Sequence, residues 1–526
     1  MPTQLAITSQ YNAVYAQDDV RVTPKLTLNV GLRYEHEPGV NERHNRYSVG
    51  FDRTTQFTVA GSSVQAVGGI EFAGQGSYPT STGQTVNKIS PRAGFAYAIT
   101  PQTVVRGGYG LFYQPLVYSG SASLAPGYVL TNVIPSQSGV PAINLSNPFP
   151  TLSTTPTGNT LGLSTSIGSS LSLIDQARKA PFFQSYSADI QQELPHGFAL
   201  KIGYVGGHGR NQPNSLNINQ MPDNYYALGN TALTNKVPFK FAGTGAWSTA
   251  NQPYNQSLRP FPQFTTITDS VSDGITNFNA LNVKVQKLFS HGLTVLGAFT
   301  WASNWDNLWG ASSTLNPLIS NNNGAQDIYN VHSEYARSIN NIPKRTTLAL
   351  TYELPFGRGK QFMSGANRWM DLAVGGWTFN NIMIVQDGAP LPISQTTNSN
   401  SAFGNLGTRP SLVPGVNPCY SGRPQDRLNS YYNPAAFTAT PATSYGNAPR
   451  TVNCYGPGYA NFDLSLNKSF HVTERVNAEF RAEALNAFNT PQFNGPNLAA
   501  DSSTAGKITG TLGFPRLVQL GGRLTF

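Results

Sequence analysis

Counting back by twos from Phe526 meets Leu524, Gly522, Leu520 and Val518, while Thr525, Arg523, Gly521 and Gln519 fall between them. An extended chain with this order has one apolar and one polar side, the two-residue period of a strand. Leu26, Leu28, Val30, Leu32 and Tyr34 repeat the pattern, as do Phe198, Leu200, Ile202 and Tyr204, then Leu281, Val283 and Val285. Phe462, Leu464 and Leu466 follow it too, and so do Val476, Ala478, Phe480, Ala482 and Ala484. Helical spacing fits poorly, because it would set Glu479, Phe480 and Glu483 on one stripe. The alternation predicts thirteen strands, over 11–22, 26–37, 89–99, 103–113, 183–194, 198–208, 278–289, 293–303, 344–354, 374–386, 459–470, 475–488 and 515–526. Each covers 11 to 14 residues. Globular strands run to about 5–6 residues, whereas a tilted membrane-crossing strand needs about 9–11.

The connections alternate between short and long. The short set is 23–25, 100–102, 195–197, 290–292 and 471–474, with one longer member at 355–373. Thr23-Pro24-Lys25, Thr100-Pro101-Gln102, Pro195-His196-Gly197 and Ser290-His291-Gly292 share a chemistry: proline presets φ and glycine permits φ above zero, as tight hairpins require. The long set is 38–88, 114–182, 209–277, 304–343, 387–458 and 489–514, well over half the chain. Loops beyond about 12–15 residues are uncommon in compact domains, and here every one falls at the same end of the strands. Outer-membrane barrels have this asymmetry, with tight periplasmic turns and extended extracellular loops. The fold class expected is therefore all-β, an antiparallel transmembrane β-barrel with long extracellular loops.

Composition narrows the functions. Charged residues are 11% of the chain, against about 25% in an ordinary soluble domain. Aromatic residues also reach 11%, with 24 Tyr and 28 Phe. The net charge of +9 is spread thinly, with no Lys/Arg stripe to track phosphates, so nucleic acid is not an expected partner. No apolar run approaches the 18 or so residues of a spanning helix. The start, Met1-Pro2-Thr3-Gln4-Leu5-Ala6, shows no signal peptide.

Several segments together resemble the barrel half of TonB-dependent outer-membrane receptors of the Oar-like group. They are Tyr15-Ala16-Gln17-Asp18-Asp19 leading into Leu26–Glu35, Ser90-Pro91-Arg92-Ala93-Gly94-Phe95-Ala96-Tyr97, and Arg106-Gly107-Gly108-Tyr109-Gly110. Glu353-Leu354-Pro355-Phe356-Gly357-Arg358-Gly359, Arg481-Ala482-Glu483-Ala484-Leu485-Asn486-Ala487-Phe488-Asn489 and the closing Arg516 to Phe526 complete the set. The resemblance implies a plugged barrel of about 22 strands, of which residues 1–526 would be the C-terminal portion, with plug and signal peptide absent. Thirteen strands leave the first and last running the same way, which conflicts with an even, all-antiparallel ring. A truncated fragment that does not seal alone is the expectation. The function implied is uptake of a scarce solute (carbohydrate, peptide or metal chelate) with energy from the TonB complex, reached only through the missing N-terminal region. A surface-binding or envelope scaffold barrel is the alternative, and a passive porin the third. Expected partners are outer-membrane lipid and the barrel-assembly machinery, which would read Phe526 and Leu524 as its signal.

Catalysis has little to work with. His36, His44, His196, His208, His291, His332 and His471 form no HExxH motif, and His332-Ser333-Glu334 is too sparse for a metal site. No GxSxG elbow occurs, and Gly203-Tyr204-Val205-Gly206-Gly207-His208-Gly209 lacks the lysine and the setting of a phosphate loop. No enzyme activity and no cofactor are expected. Cys419 and Cys454 lie 35 residues apart in loop 387–458, and in an oxidising location they read as a disulfide, with two unrelated thiols or a metal pair as alternatives. Tyr11, Tyr34, Tyr113, Tyr186, Trp301, Trp305, Trp377, Phe470 and Phe526 suit interfacial girdles. Arg33, Glu35, Lys284, Asp463, Glu479, Arg481, Glu483 and Arg523 would face the lumen, either as cross-strand ion pairs or as a substrate surface. In loop 304–343, Trp305, Trp309, Tyr329 and Asn321-Asn322-Asn323 offer stacking faces and amides to a ligand, or the loop packs on itself.

Overall fold

A computed structural model describes residues 5–115, 125–129, 156–309, 324–397, 400–471 and 476–526. Asn321-Asn322-Asn323 and most of the turn expected at 471–474 lie outside the described residues.

Among the described residues thirteen long strands follow one another across one sheet, each antiparallel to its neighbour in the chain. They are β1 (Asn12–Thr23), β2 (Leu26–Glu37), β3 (Val86–Thr100), β4 (Thr103–Tyr113), β5 (Phe182–Leu194), β6 (Phe198–Asn217) and β7 (Ile267–Ser290). The rest are β8 (Leu293–Asp306), β9 (Lys344–Glu353), β10 (Trp377–Gln386), β11 (Tyr459–His471), β12 (Asn477–Leu485) and β13 (Leu517–Thr525). All thirteen predicted strands are present. Among the described residues β1 and β13 each pair on one side only. Among the described residues no helix is long and apolar enough to cross a membrane, which is silent on crossing by strands.

Register carries the alternation across the sheet. Leu28 faces Val20 and Phe95, Val283 faces Ile202 and Phe299, and Ala482 faces Leu466 and Leu520, so apolar residues share one face. Glycines on that face are roofed by cross-strand rings: a Cβ at Gly206 would meet the Tyr186 ring at 2.2 Å.

The turns form as their residues dictate. At Pro195-His196-Gly197, His196 (φ 64°) and Gly197 (φ 74°) are both left-handed, and at His291-Gly292 the angles are 52° and 74°. Two successive positive φ values match the twist of a tight hairpin. The Thr23 hydroxyl accepts from the amides of Lys25 (3.2 Å) and Leu26 (3.0 Å).

Several strand boundaries depart from expectation. β6 and β7 continue well past 208 and begin well before 278, through bulges between Gly209 and Asn214. These extensions bury Asn214, Asn217, Asp269 and Ser270, because loops cover them, and an apolar–polar alternation needs two different surroundings. The strand expected from 374 starts at Trp377, since Arg368–Val374 is a helix whose cap, Asn367, accepts from the Met370 amide at 2.9 Å. β12 stops at Leu485, where Asn486 (φ 48°) takes the left-handed turn and its amide donates to Asp463 Oδ1 at 2.9 Å.

The apolar cores lie not in the sheet but among the long loops. The largest joins Val59, Ile70 and Phe72 to Ile167, Leu171 and Leu173, then to Phe239, Phe241, Trp247, Phe261 and Phe264. A second unites Ile339, Leu391, Ile393, Tyr431, Tyr432, Phe437 and Ile508. Met221, Tyr226 and Leu233 meet Phe403 in a third, and Tyr47, Val49 and Ala73 make a small fourth. All six long connections contribute, so they form one folded cap at one end of the sheet.

Candidate binding surfaces of the sheet and its cap

The face opposite the apolar rows carries all eight charges singled out from the sequence. Glu479 sits across from Arg523, and Arg481 Nε donates to Glu479 at 2.7 Å. Arg33 pairs with Glu35 beside a hollow of about 310 Å³ lined by Tyr15, Gln17, Arg33, Ser90 and Arg92. Arg481, Glu483, Gln519 and Arg523 line another of about 260 Å³. Lys284 lies directly opposite Lys201, whose ammonium is held by Asp189 at 3.0 Å. Asp463 serves the Asn486 turn. Ion pairs take up four of the eight, Arg33, Glu35, Glu479 and Arg481, and Arg92 stacks over Phe112 at 4.8 Å.

Tyr11 departs from the girdle expectation, because its hydroxyl accepts from Arg33 Nη2 (3.3 Å) on the polar face. Trp301 and Trp377 pair with Leu281 and Lys468 on the apolar face, and Phe526, at the end of β13, is 98% exposed with Leu524 also exposed.

Of the three loop residues expected to touch a ligand, two are placed elsewhere. Trp305 continues the apolar row of β8, stacked on Tyr335 (5.9 Å) beneath the Arg337 guanidinium (4.9 Å), a position in line with the girdle expectation. Trp309 is 5% exposed and donates its Nε1–H to Ser215 O at 2.7 Å, so it is cap packing rather than a presented ring. Tyr329 is 51% exposed, while its hydroxyl donates to Gln220 O at 3.0 Å.

Tyr329 leads into a polar cluster that no local motif announces. Gln220 Nε2 donates to Asp327 Oδ1 (3.1 Å) and to the Tyr445 hydroxyl (3.1 Å), and Tyr445 donates to Asp223 Oδ1 (2.7 Å). Tyr226 donates to Asn405 Oδ1 at 2.8 Å. Burial, with the nearby Asp327 charge, raises the Asp223 carboxyl above its ordinary range. Burial also pushes the phenols of Tyr226 and Tyr329 to about 12, with the two carboxylates adding to it. The cluster is acidic and neutral-phenolic, drawn from three loops. Among the described residues no group of three or more His, Cys, Asp or Glu is placed to hold a metal.

Two buried ion pairs fasten the same loops. Arg409 Nη1 donates to Glu334 Oε2 at 2.6 Å, with both side chains buried. Arg450, also fully buried, pairs with Asp306 and donates from Nε to Glu334 O at 3.0 Å. Cys419 and Cys454 are disulfide-bonded, with Cα atoms 5.4 Å apart.

A family described as "Outer membrane beta barrel domain" matches residues 2–519. No curated protein matches the chain. Among solved structures, it resembles the ferripyoverdine receptor of Pseudomonas aeruginosa bound to ferripyoverdine, with 10% identity, 100% of this chain and 40% of that one covered, and a TM-score of 0.44. The siderophore receptor PiuA of Acinetobacter baumannii is similar at 10% identity, with 99% and 43% covered and a TM-score of 0.41. The outer membrane transporter YddB of Escherichia coli is similar at 11% identity, with 99% and 54% covered and a TM-score of 0.43. The chain thus spans about two fifths to just over half the length of these structures.

Proposed function

The chain belongs to the outer membrane β-barrel family, whose place is the bacterial outer membrane, and from that premise we propose that it forms wall and outer mouth of a TonB-dependent transporter. In this reading the apolar rows meet lipid, and the charged face lines the lumen. The cap faces the cell exterior, and the short turns face the periplasm. The observation that carries it is the two-sided sheet: one face of Leu, Val and aromatic residues, the other of paired Arg, Glu and Asp, with all long connections gathered at one end.

A barrel wall satisfies every backbone group between strands, which is what hydrocarbon demands. Among the described residues β1 and β13 each leave one edge unpaired, and in this reading further strands and a plug complete the wall, as in a transporter of the TonB-dependent kind. The solute is scarce and captured at the cap, where Tyr329 and the Asp223–Tyr445 cluster offer an aromatic face beside acceptors. The assembly machinery reads Phe526 and Leu524 during insertion.

The test is uptake. Cells carrying the intact gene should gain accumulation of a labelled siderophore, oligosaccharide or peptide, and lose it when TonB is deleted. Equal accumulation with and without TonB, across all three solute classes, refutes the transporter reading.

A further inference from the structure

Five of the six short connections run to only a few residues, but the one between β9 and β10 does not. Segment 354–376 folds back on itself, with the Phe362 amide donating to Pro355 O at 2.9 Å and the rings of Phe356 and Phe362 5.6 Å apart. The helix Arg368–Val374 follows. Phe356, Phe362, Met363, Met370 and Leu372 are all exposed, and Trp369 is 79% exposed. So many apolar side chains open to water on a short turn are a liability unless something covers them.

The helix is tied toward the apolar side of the sheet. Trp377 lies on the apolar row of β10 and donates its Nε1–H to Ala373 O at 2.9 Å. Lys468, its partner on β11, donates from Nζ to Gly375 O at 2.5 Å and sits over the Trp377 ring at 4.9 Å. Two residues of the lipid-facing rows therefore grip the last carbonyls of the helix. The charge around it leans positive: Arg358, Lys360 and Arg368 against Asp371, with Lys360 held by Glu353 at 3.2 Å.

We propose that segment 354–376 is an interfacial foot, seated among the anionic phospholipid headgroups of the leaflet at the turn end, with Trp369 and Leu372 entering the acyl boundary. An amphipathic helix with aromatic and basic residues settles about 5–10 Å into that boundary, and Trp is enriched at that depth. Continuity with the apolar rows through Trp377 and Lys468, together with the basic excess, selects lipid as the occupant. The inference rests on the bilayer-facing wall proposed above.

A nitroxide on Met370→Cys, in the full chain reconstituted in phosphatidylethanolamine–phosphatidylglycerol vesicles, reads the depth. The native cysteines are bonded to each other and do not label. Labels at Leu348→Cys, on the apolar row of β9, and at Gln102→Cys, in a short turn, are the controls. The ratio of oxygen to nickel-chelate access at position 370 should be several-fold above that at 102 and below that at 348. Trp369→Ser, or Arg358→Glu with Arg368→Glu, should bring it down toward the value at 102. A label at 370 as water-accessible as one at 102, or a depth indifferent to all of these substitutions, overturns the foot. An aqueous label at 348 would instead sink the wall reading itself.

Discussion

The Glu334–Arg409 pair gives a sharp test of how the cap is held. Arg409 has little choice of partner: Nη1 reaches Glu334 Oε2 at 2.6 Å, Nε donates to Ala448 O at 2.9 Å, and its side chain is buried. Glu334 in turn accepts from the Gln326 amide at 2.9 Å, so one carboxylate joins loop 307–343 to loop 387–458. With an effective dielectric of about 20, two unit charges at that separation attract by roughly 6 kcal/mol before desolvation is charged against it. Glu334→Ala strands a buried guanidinium, a change that costs about 3–5 kcal/mol. Glu334→Ala with Arg409→Met removes both charges and should recover most of that loss, because a buried pair replaced by apolar groups is often near neutral. Hydrogen exchange reads the result locally. Amides of 324–343 and 387–458 should open roughly a hundredfold to several thousandfold more often in Glu334→Ala, while those of β9 and β10 hold. A single variant within about 1 kcal/mol of the parent, or a double variant as damaged as the single, would refute the reasoning.

Two further outcomes follow from the same cap. Cys454→Ser frees a loop closed over 35 residues, which should cost about 3–4 kcal/mol by the chain-entropy account; limited proteolysis should then cut 387–458 first while the wall strands survive. Asp501 links loops 387–458 and 486–516: burial pushes its carboxyl up, but hydrogen bonds from the Thr397 hydroxyl and the amides of Thr396 and Thr397 outweigh this and bring it to about 2. A lowered folded value stabilises above the unfolded value of about 4 and is lost as pH falls toward 2. Since the site is well solvated, the contribution is about 1 kcal/mol or less; denaturant titration should find Asp501→Asn weaker than the parent at neutral pH and equal to it near pH 2, and a constant gap would contradict the assignment.

The wall was legible because each of its residues meets one of two unlike surroundings in strict turn, and Leu28, Val30 and Leu32 record that without reference to anything distant. Turn residues were legible for the same local reason, as His196-Gly197 and His291-Gly292 bear out. The cap was not. Glu334 meets Arg409, and Asp223 meets Tyr445, across long stretches of chain with no spacing to give them away. Trp305 and Trp309 read alike in the sequence, yet one continues a strand row and the other is buried and bonded to Ser215 O. The helix at Arg368 had a visible cap in Asn367, but its seven residues are too few for a helical period to stand out.

Because Val59, Leu171 and Phe264 come from three separate insertions and share one interior, none of those insertions is a detachable module. Trading any single one for a homologous segment would leave its former companions with half an interior. The exterior should therefore diversify by exchanging matched sets, and an antibody raised against it should fail on peptides while recognising the intact crown.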